Sequence, residues 1–89
     1  MRLHRYWLRF ETADPLALPP GVALGCGVTA FSREDALSLV QETVFRGQSL
    51  PEIASITKGI DISKLDANHV LPNMGNVVLR GVWFPLGYS

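Results

Sequence analysis

The 89-residue sequence contains one cysteine, Cys26, and its charges cancel. A single cysteine excludes an internal disulfide framework and suits a reducing compartment, so we expect a cytoplasmic protein. Eight basic and eight acidic side chains give no net charge, which argues against nucleic acid and anionic membranes as partners. No run approaches the roughly 18 apolar residues of a membrane span. The N-terminal residues also lack the apolar core of a signal peptide.

Internal repeats and low-complexity tracts are absent as well. Hydrophobic residues make up 47% and charged residues 18%, which is typical of a globular chain. The sequence has no glycine-rich phosphate loop, no serine-centred elbow and no paired-carboxylate pattern. It therefore predicts one domain over residues 1–89, with no cofactor and no catalytic residue that a motif identifies.

Alternating apolar and polar side chains predict two strands, over residues 5–11 and 22–31. Prolines in the loop between them, residues 12–21, cannot continue a ladder, so the two strands are expected to pair antiparallel. A less regular strand is predicted over residues 51–60. The last strand is predicted over residues 77–84, followed by a short tail at residues 85–89.

A helix is predicted over residues 33–45. Ser32 can accept hydrogen bonds from the first backbone N–H groups, and Glu34 and Asp35 lie at the positive end of the helix dipole. Arg46 and Gly47 provide a basic last turn and a stop. The predicted fold is a two-layer β-β-α-β-β sandwich with one helix on a four-stranded, mostly antiparallel sheet, either β-grasp-like or split ferredoxin-like.

One helix covers only one face of such a sheet, so the other face is expected to be open. The predicted partner-binding residues on this face are Arg5, Trp7, Arg9, Phe31 and Trp83. Aromatic residues and arginine are enriched in interface cores. The sequence therefore predicts a non-enzymatic protein-binding module, which acts by homodimerisation or as a small inhibitor of the immunity-protein type.

Two alternatives remain for this face. Gly25 and Gly27 form a shallow strip that a large side chain such as Trp7 can cross, and Leu16 or Leu18 of the proline loop can cover Trp7. Exposed aromatic residues on strands also stack the bases of single-stranded RNA, but zero net charge disfavours that function.

The loop between Asn68 and Asn76 is the chemically richest segment, and its candidate ligand-binding residues are Asp66, His69 and Asn73. The alternative function is a small enzyme or ligand-binding domain with a pocket at this loop and His69 as its weak catalytic candidate. His69 can equally fix the turn by bonding the backbone or Asp66. With Asp61 and Asp66 it provides too few ligands for a zinc site, so no metal is predicted.

Cys26 is a possible nucleophile, with His69 as its base and Asp66 or Asn73 orienting that base. Cys26 alternates in phase with Val22 and Val28, however, which places it in the core. A buried thiol behaves as a small apolar side chain, so packing is the favoured role.

Three blocks of sequence resemble those of an uncharacterised family of small bacterial proteins: LGCGVTA at residues 24–30, HVLPNMG at 69–75 and RGVWFP at 80–85. The resemblance covers nearly the whole chain and implies a stand-alone bacterial protein. It brings no activity and no catalytic residue.

Overall fold

The computed structural model describes residues 2–86, without the side chain of Pro15. Most of the predicted tail, residues 87–89, lies outside this range. Strand β1 is His4–Glu11, strand β2 is Cys26–Ala30, helix α1 is Arg33–Thr43, strand β3 is Glu52–Lys58 and strand β4 is Gly81–Phe84. Short 3-10 turns interrupt the connections at Pro15–Ala17, Val22–Leu24, Ile62–Lys64 and Leu71–Asn73.

The strands form one sheet in the order β3-β1-β2-β4, and each neighbouring pair is antiparallel. The predicted pairing across the proline loop is confirmed, with Tyr6 opposite Val28 and Leu8 opposite Cys26. Strand β1 lies between β2 and β3, so the connection through α1 crosses over β1. One helix on a four-stranded antiparallel sheet confirms the predicted α+β class.

Helix α1 begins as predicted and ends two residues early. Ser32 Oγ accepts a hydrogen bond from Asp35 N at 3.1 Å. Beyond Thr43 the chain turns away, with Arg46 at φ 53° and Gly47 N donating to Gln41 O at 2.8 Å. The side chains that are buried between α1 and the sheet form one core, which we call the α1-side core. It includes Tyr6, Leu8, Val22, Cys26, Val28, Ala36, Val40 and Phe45.

Three predicted strands are shorter in the structure, and two of them, β2 and β4, start four residues later than predicted. Residues 22–24 form a 3-10 turn, and β2 starts only at Cys26, after Gly25 at φ 129°. Residues 77–80 form a loop, and β4 starts at Gly81 with φ 140°. Residues other than glycine rarely adopt such positive φ angles, so these two glycines mark the points at which the chain turns into each strand.

The second face of the sheet is covered, and the prediction of an open face is wrong. The connection over residues 59–80 runs from β3 at one edge of the sheet to β4 at the other. Six apolar side chains of this connection pack on Trp7, Trp83 and Phe84. These six are Ile60, Ile62, Leu65, Val70, Met74 and Val77. Trp7 is 7% exposed and Trp83 is 1% exposed.

The glycine strip explains how two indoles fit beneath this cover. A Cβ atom on Gly25 would lie 2.6 Å from the Trp7 ring, and one on Gly27 would lie 2.3 Å from the Trp83 ring. The prediction that Trp7 crosses the strip is therefore confirmed at Gly25. Trp7 is not covered by Leu16, which is 95% exposed, and Leu18 packs on the α1-side core.

Candidate functional site

The structure separates the five predicted partner-binding residues. The residues buried on the second face of the sheet, beneath the connection over residues 59–80, form what we call the second core. Trp7 and Trp83 stack on each other inside it, with ring centroids 5.9 Å apart. Arg5 and Arg9 are exposed on β1, and Phe31 is 38% exposed just beyond β2. Buried indoles cannot contact a partner or stack a base, so the predicted continuous aromatic docking face does not exist.

A smaller set of exposed apolar side chains lies around Arg80, which contacts the ring of Phe31 and follows Val78 and Leu79 in the chain. We call Phe31, Val78 and Leu79 the corner patch; Val78 is 65% and Leu79 is 64% exposed. Sequence reasoning missed Val78 and Leu79 because it placed them in a strand. The available signal was three consecutive apolar residues, 77–79, since a half-buried strand alternates apolar with polar side chains.

Arg80 ties the corner patch to the start of α1. Its guanidinium lies 5.6 Å from the centroid of the Phe31 ring and donates two hydrogen bonds to the carboxylate of Asp35, with Nε to Oδ2 at 3.0 Å. Asp35 Oδ2 also accepts from Phe31 N at 3.0 Å. The hydrogen bonds from Arg80 and from Phe31 N lower the pKa of Asp35 to about 2. Arg80 and Phe31 are therefore held in one arrangement.

The structure does bring Asp66, His69 and Asn73 together. Asp66 Oδ1 accepts from Asn68 N at 2.8 Å and from His69 N at 3.1 Å, and Asp66 Oδ2 lies 3.2 Å from His69 Nδ1. Asn73 Nδ2 donates to His69 O at 2.9 Å. The N–H group of Asn68 is the main cause of the lowered pKa of Asp66, and the His69 side chain adds to it.

These bonds shape the loop that carries Val70 into the second core. Val70 is buried, and its N–H donates to Asp66 O at 3.0 Å. A turn built on an aspartate side chain is a common way to fix such a loop. Both oxygens of Asp66 and Nδ2 of Asn73 thus form hydrogen bonds within the turn, and the bond between His69 and Asp66 is the one expected if His69 helps to fix it.

Cys26 has the packing role that its alternation predicted. The thiol is buried in the α1-side core, and burial raises its pKa to about 12. Val70, the neighbour of His69, belongs to the core on the opposite face of the sheet. The sheet therefore lies between the thiol and the loop, and no Cys–His pair forms.

Asp61 does not join Asp66 and His69, the two side chains that were considered with it as metal ligands. Asp61 Oδ1 accepts from Ser63 N at 3.1 Å and from Ser63 Oγ at 2.7 Å, so it caps its own 3-10 turn. Within residues 2–86, no three His, Cys, Asp or Glu side chains come together in a way that could hold a metal ion. In the same range no helix has the length and apolar character needed to cross a bilayer.

A cleft of about 700 Å³ lies at the opposite end of the helix from the corner patch. We call it the proline-loop cleft, because the loop before β2 forms one wall and the end of α1 the other. Its lining includes the prolines and apolar side chains Leu18, Pro19, Pro20, Val44, Phe45, Pro51, Val82, Pro85 and Leu86, and one charged residue, Arg46. None of Asp66, His69 and Asn73 lines it.

No protein-family model, no curated protein and no solved structure matches this chain. The resemblance to small bacterial proteins stays a prediction, and function has to be argued from the geometry of this molecule.

Proposed function

We propose that this protein is a non-enzymatic protein-binding module, acting in the cytoplasm, that contacts a foreign protein through the corner patch. The observation that carries the proposal is the exposure of Val78 and Leu79, about two thirds each, directly before Arg80, whose guanidinium lies over the ring of Phe31. Within residues 2–86, five other large aromatic side chains are buried on the two faces of the sheet: Tyr6, Trp7, Phe45, Trp83 and Phe84. Exposed apolar side chains that adjoin one another in this way are typical of interaction sites.

The fixed position of Arg80 supports this proposal. Arginine is enriched among the residues that contribute most to binding, and a side chain that is already ordered loses less entropy when a partner binds. Burying Val78 and Leu79 fully would each contribute about 1.5–3 kcal/mol before the costs of association. A rigid small protein with one apolar corner fits an inhibitor of the immunity-protein type, which blocks its partner by occupying a surface.

The test compares three tagged chains in affinity capture from a lysate of the source organism. The wild-type protein should retain one foreign protein in a stoichiometric amount, and Leu79→Ser should lose it. Leu16→Ser is the matched control, because Leu16 is 95% exposed and lies outside the corner patch. Equal retention by all three chains would overturn the proposed site.

A second candidate function, binding of a small apolar ligand, is favoured by the proline-loop cleft and not by the loop at residues 68–76. Its volume of about 700 Å³ falls in the range of ligand pockets, about 300–1,000 Å³. Anilinonaphthalene sulfonate is a suitable probe, since Arg46 is the only charged residue among residues 2–86 that lines the cleft. Arg46→Gln should weaken binding of this dye and Arg9→Gln should not. Equal binding by both variants would reject the cleft as the site.

A further inference from the structure

We propose that a cavity between the start of α1 and the end of β3 binds the phosphate group of a small phosphate ester. Its volume is about 410 Å³, within the roughly 300–1,000 Å³ of ligand pockets. This inference goes beyond the proposed function, because neither Val78 nor Leu79 lines the cavity. We call it the Tyr6 cavity, and its lining includes Tyr6, Phe31, Ser32, Arg33, Ile56 and Lys58.

The strand register places three of these residues on the α1 side of the sheet. Tyr6 lies opposite Lys58, and Ile56 lies opposite Leu8, a residue of the α1-side core. Side chains directly opposite each other in antiparallel strands share a face and lie within contact range. Residues 31–33 lead from the end of β2 into the first turn of α1. The cavity therefore lies where strand β3 and the start of α1 meet beside Tyr6.

The hydroxyl group of Tyr6 is the observation that points to a ligand. Tyr6 is 4% exposed, and its hydroxyl has no hydrogen-bond partner among residues 2–86. A buried phenol usually has one. The hydroxyl is not sealed inside the core, since the fully enclosed side-chain polar atom without a partner in this range is Trp83 Nε1. It is therefore open to the cavity that Tyr6 lines, where it can donate to an oxygen of a ligand.

Positive charge lines the Tyr6 cavity and is not neutralised there. Arg33 and Lys58 supply this charge, and no acidic side chain of the described residues lines the cavity. Neither cation forms an ion pair within the part of the chain that the structure describes. The charge also reaches His4, whose ring lies edge-on to that of Tyr6. Partial burial lowers the pKa of His4, and the charges of Lys58 and Arg2 lower it further. An anion is therefore attracted to this cavity.

The donors around the Tyr6 cavity match a phosphate group. The guanidinium of Arg33 can bind two phosphate oxygens side by side, and the ammonium of Lys58 adds a second positive charge. Ser32 Oγ accepts from Asp35 N at 3.1 Å, so its hydroxyl proton remains available beside that of Tyr6. A phosphate ester carries about two negative charges at neutral pH and three acceptor oxygens. A carboxylate carries one charge and two oxygens, so it would use fewer of these groups.

Two apolar side chains in the lining indicate what the phosphate is attached to. Phe31 is 38% exposed and Ile56 is partly buried, and both line the Tyr6 cavity beside the charged groups. The space exceeds the need of an inorganic ion, since a water molecule takes about 30 Å³ of liquid volume. A ring or a short hydrocarbon chain can lie against these side chains while the phosphate contacts the cations. The expected ligand is therefore a small phosphate ester with one apolar group.

The experiment measures binding of phenyl phosphate to the full chain by titration calorimetry at about pH 7.5, where the phosphate is mostly doubly charged. The wild-type protein should bind it saturably at millimolar concentration or below. Tyr6→Phe should weaken binding by about tenfold, because one hydrogen bond to a charged oxygen is lost. Lys58→Gln should weaken it by at least about tenfold, because a cation is lost. Lys64→Gln is the matched control, since it removes an exposed lysine that does not line the cavity, and it should leave the dissociation constant unchanged.

Tyr6→Phe tests the site without disturbing the fold, because the hydroxyl that it removes has no partner within the described chain. Its melting temperature should therefore equal that of the wild type. Equal affinity of Tyr6→Phe and the wild type for phenyl phosphate would overturn the proposal, and so would a wild-type chain that does not bind phenyl phosphate. Benzoate combines the same ring with a single charge and should bind more weakly; equal binding of the two compounds would reject a phosphate as the ligand group.

Leu79→Ser distinguishes this site from the corner patch. It should lose the foreign protein and bind phenyl phosphate with the wild-type dissociation constant, whereas Tyr6→Phe should retain the foreign protein. Loss of phenyl phosphate binding in Leu79→Ser would overturn the Tyr6 cavity as a separate site.

Discussion

Replacing Gly27 by alanine would place a Cβ atom 2.3 Å from Cη2 and Cζ3 of Trp83 and 2.5 Å from Cε3. Carbon atoms in ordinary contact lie about 3.5–4.0 Å apart. The distances from this Cβ to the three ring atoms are therefore shorter than an ordinary contact by about an ångström or more along one side of the indole. Neither partner can retreat, because Gly27 is paired on both sides within the sheet and Trp83 is stacked on Trp7.

Gly75→Ala is the matched control for this change. Its Cβ would also come within 2.3 Å of a neighbouring atom, but that atom is Cδ1, at the far end of the Leu86 side chain. The next nearest atom to this Cβ, Leu86 Cγ, lies 3.7 Å away. Leu86 is 43% exposed and can rotate into another staggered position. We therefore expect Gly75→Ala to change the free energy of unfolding by less than about 1 kcal/mol.

Overpacking a core costs about 1–3 kcal/mol, and we expect Gly27→Ala to lie at the upper end, near 3 kcal/mol. The measurement is urea denaturation, with the melting temperature expected to fall by more than about 10 °C. Trp83→Phe completes a double-mutant cycle. It withdraws the clashing ring atoms and breaks no hydrogen bond, since Trp83 Nε1 is buried without a partner among the described residues. Gly27→Ala should cost less in that background by at least about 1 kcal/mol.

Equal stability of Gly27→Ala and Gly75→Ala would refute this reasoning. It would mean that Trp83 does not rest on Gly27 and that the second face is open, as the sequence alone predicted. A destabilised Gly27→Ala with no coupling to Trp83 would place the clash elsewhere and would equally contradict the packing described here.

Three further predictions concern single side chains. Cys26 should resist a thiol reagent at neutral pH in the native state and react only as the chain unfolds, because burial raises its pKa to about 12; immediate labelling would contradict this burial. The pKa of Asp35 is lowered to about 2, so the stability that Asp35 contributes is present above its usual pKa, near 3.9, and is lost as the pH falls toward 2. Asp35→Asn should therefore lose less stability than the wild type between pH 5 and pH 2. An unchanged acid profile would show that the bond to Arg80 is not the source of this pH dependence. Asp66→Ala should accelerate amide exchange of Val70 more than His69→Ala does, because Asp66 accepts from two backbone N–H groups; the reverse order would assign the turn to His69.

The elements that the sequence predicted correctly are those with a local physical signal. Ser32 and the acidic residues Glu34 and Asp35 set the start of α1 within the chain itself. The alternation of Cys26 with Val22 and Val28 predicted its burial, and the short proline loop predicted that β1 and β2 pair antiparallel. In each case the relevant interaction involves near neighbours or one adjacent strand, so the pattern of side chains contains it.

The cover over the second face has no such signal. Ile62, Leu65, Val70 and Met74 follow neither a helical nor a two-residue period, because 3-10 turns and loops carry them. These residues lie on the second face because the chain crosses there from β3, at one edge of the sheet, to β4, at the other edge. This path depends on the strand order, which the sequence pattern does not contain. The glycine strip was a real indication that large side chains lie on that face. The strip predicted that Trp7 lies across it. That Trp83 also lies on the strip, at Gly27, depends on the pairing of β4 with β2.

The path of residues 59–80 also has a consequence for the newly synthesised chain. Apart from Val82, every side chain of the α1-side core precedes residue 59, so this half of the protein can pack while the ribosome is still adding residues. The second core needs Trp83 and Phe84, close to the C-terminal end of the described chain. Trp7 and its glycine strip are therefore uncovered during most of synthesis. Until Trp83 and Phe84 are in place, the chain presents the aromatic surface that the folded protein hides, and transiently exposed apolar surface of this kind favours aggregation.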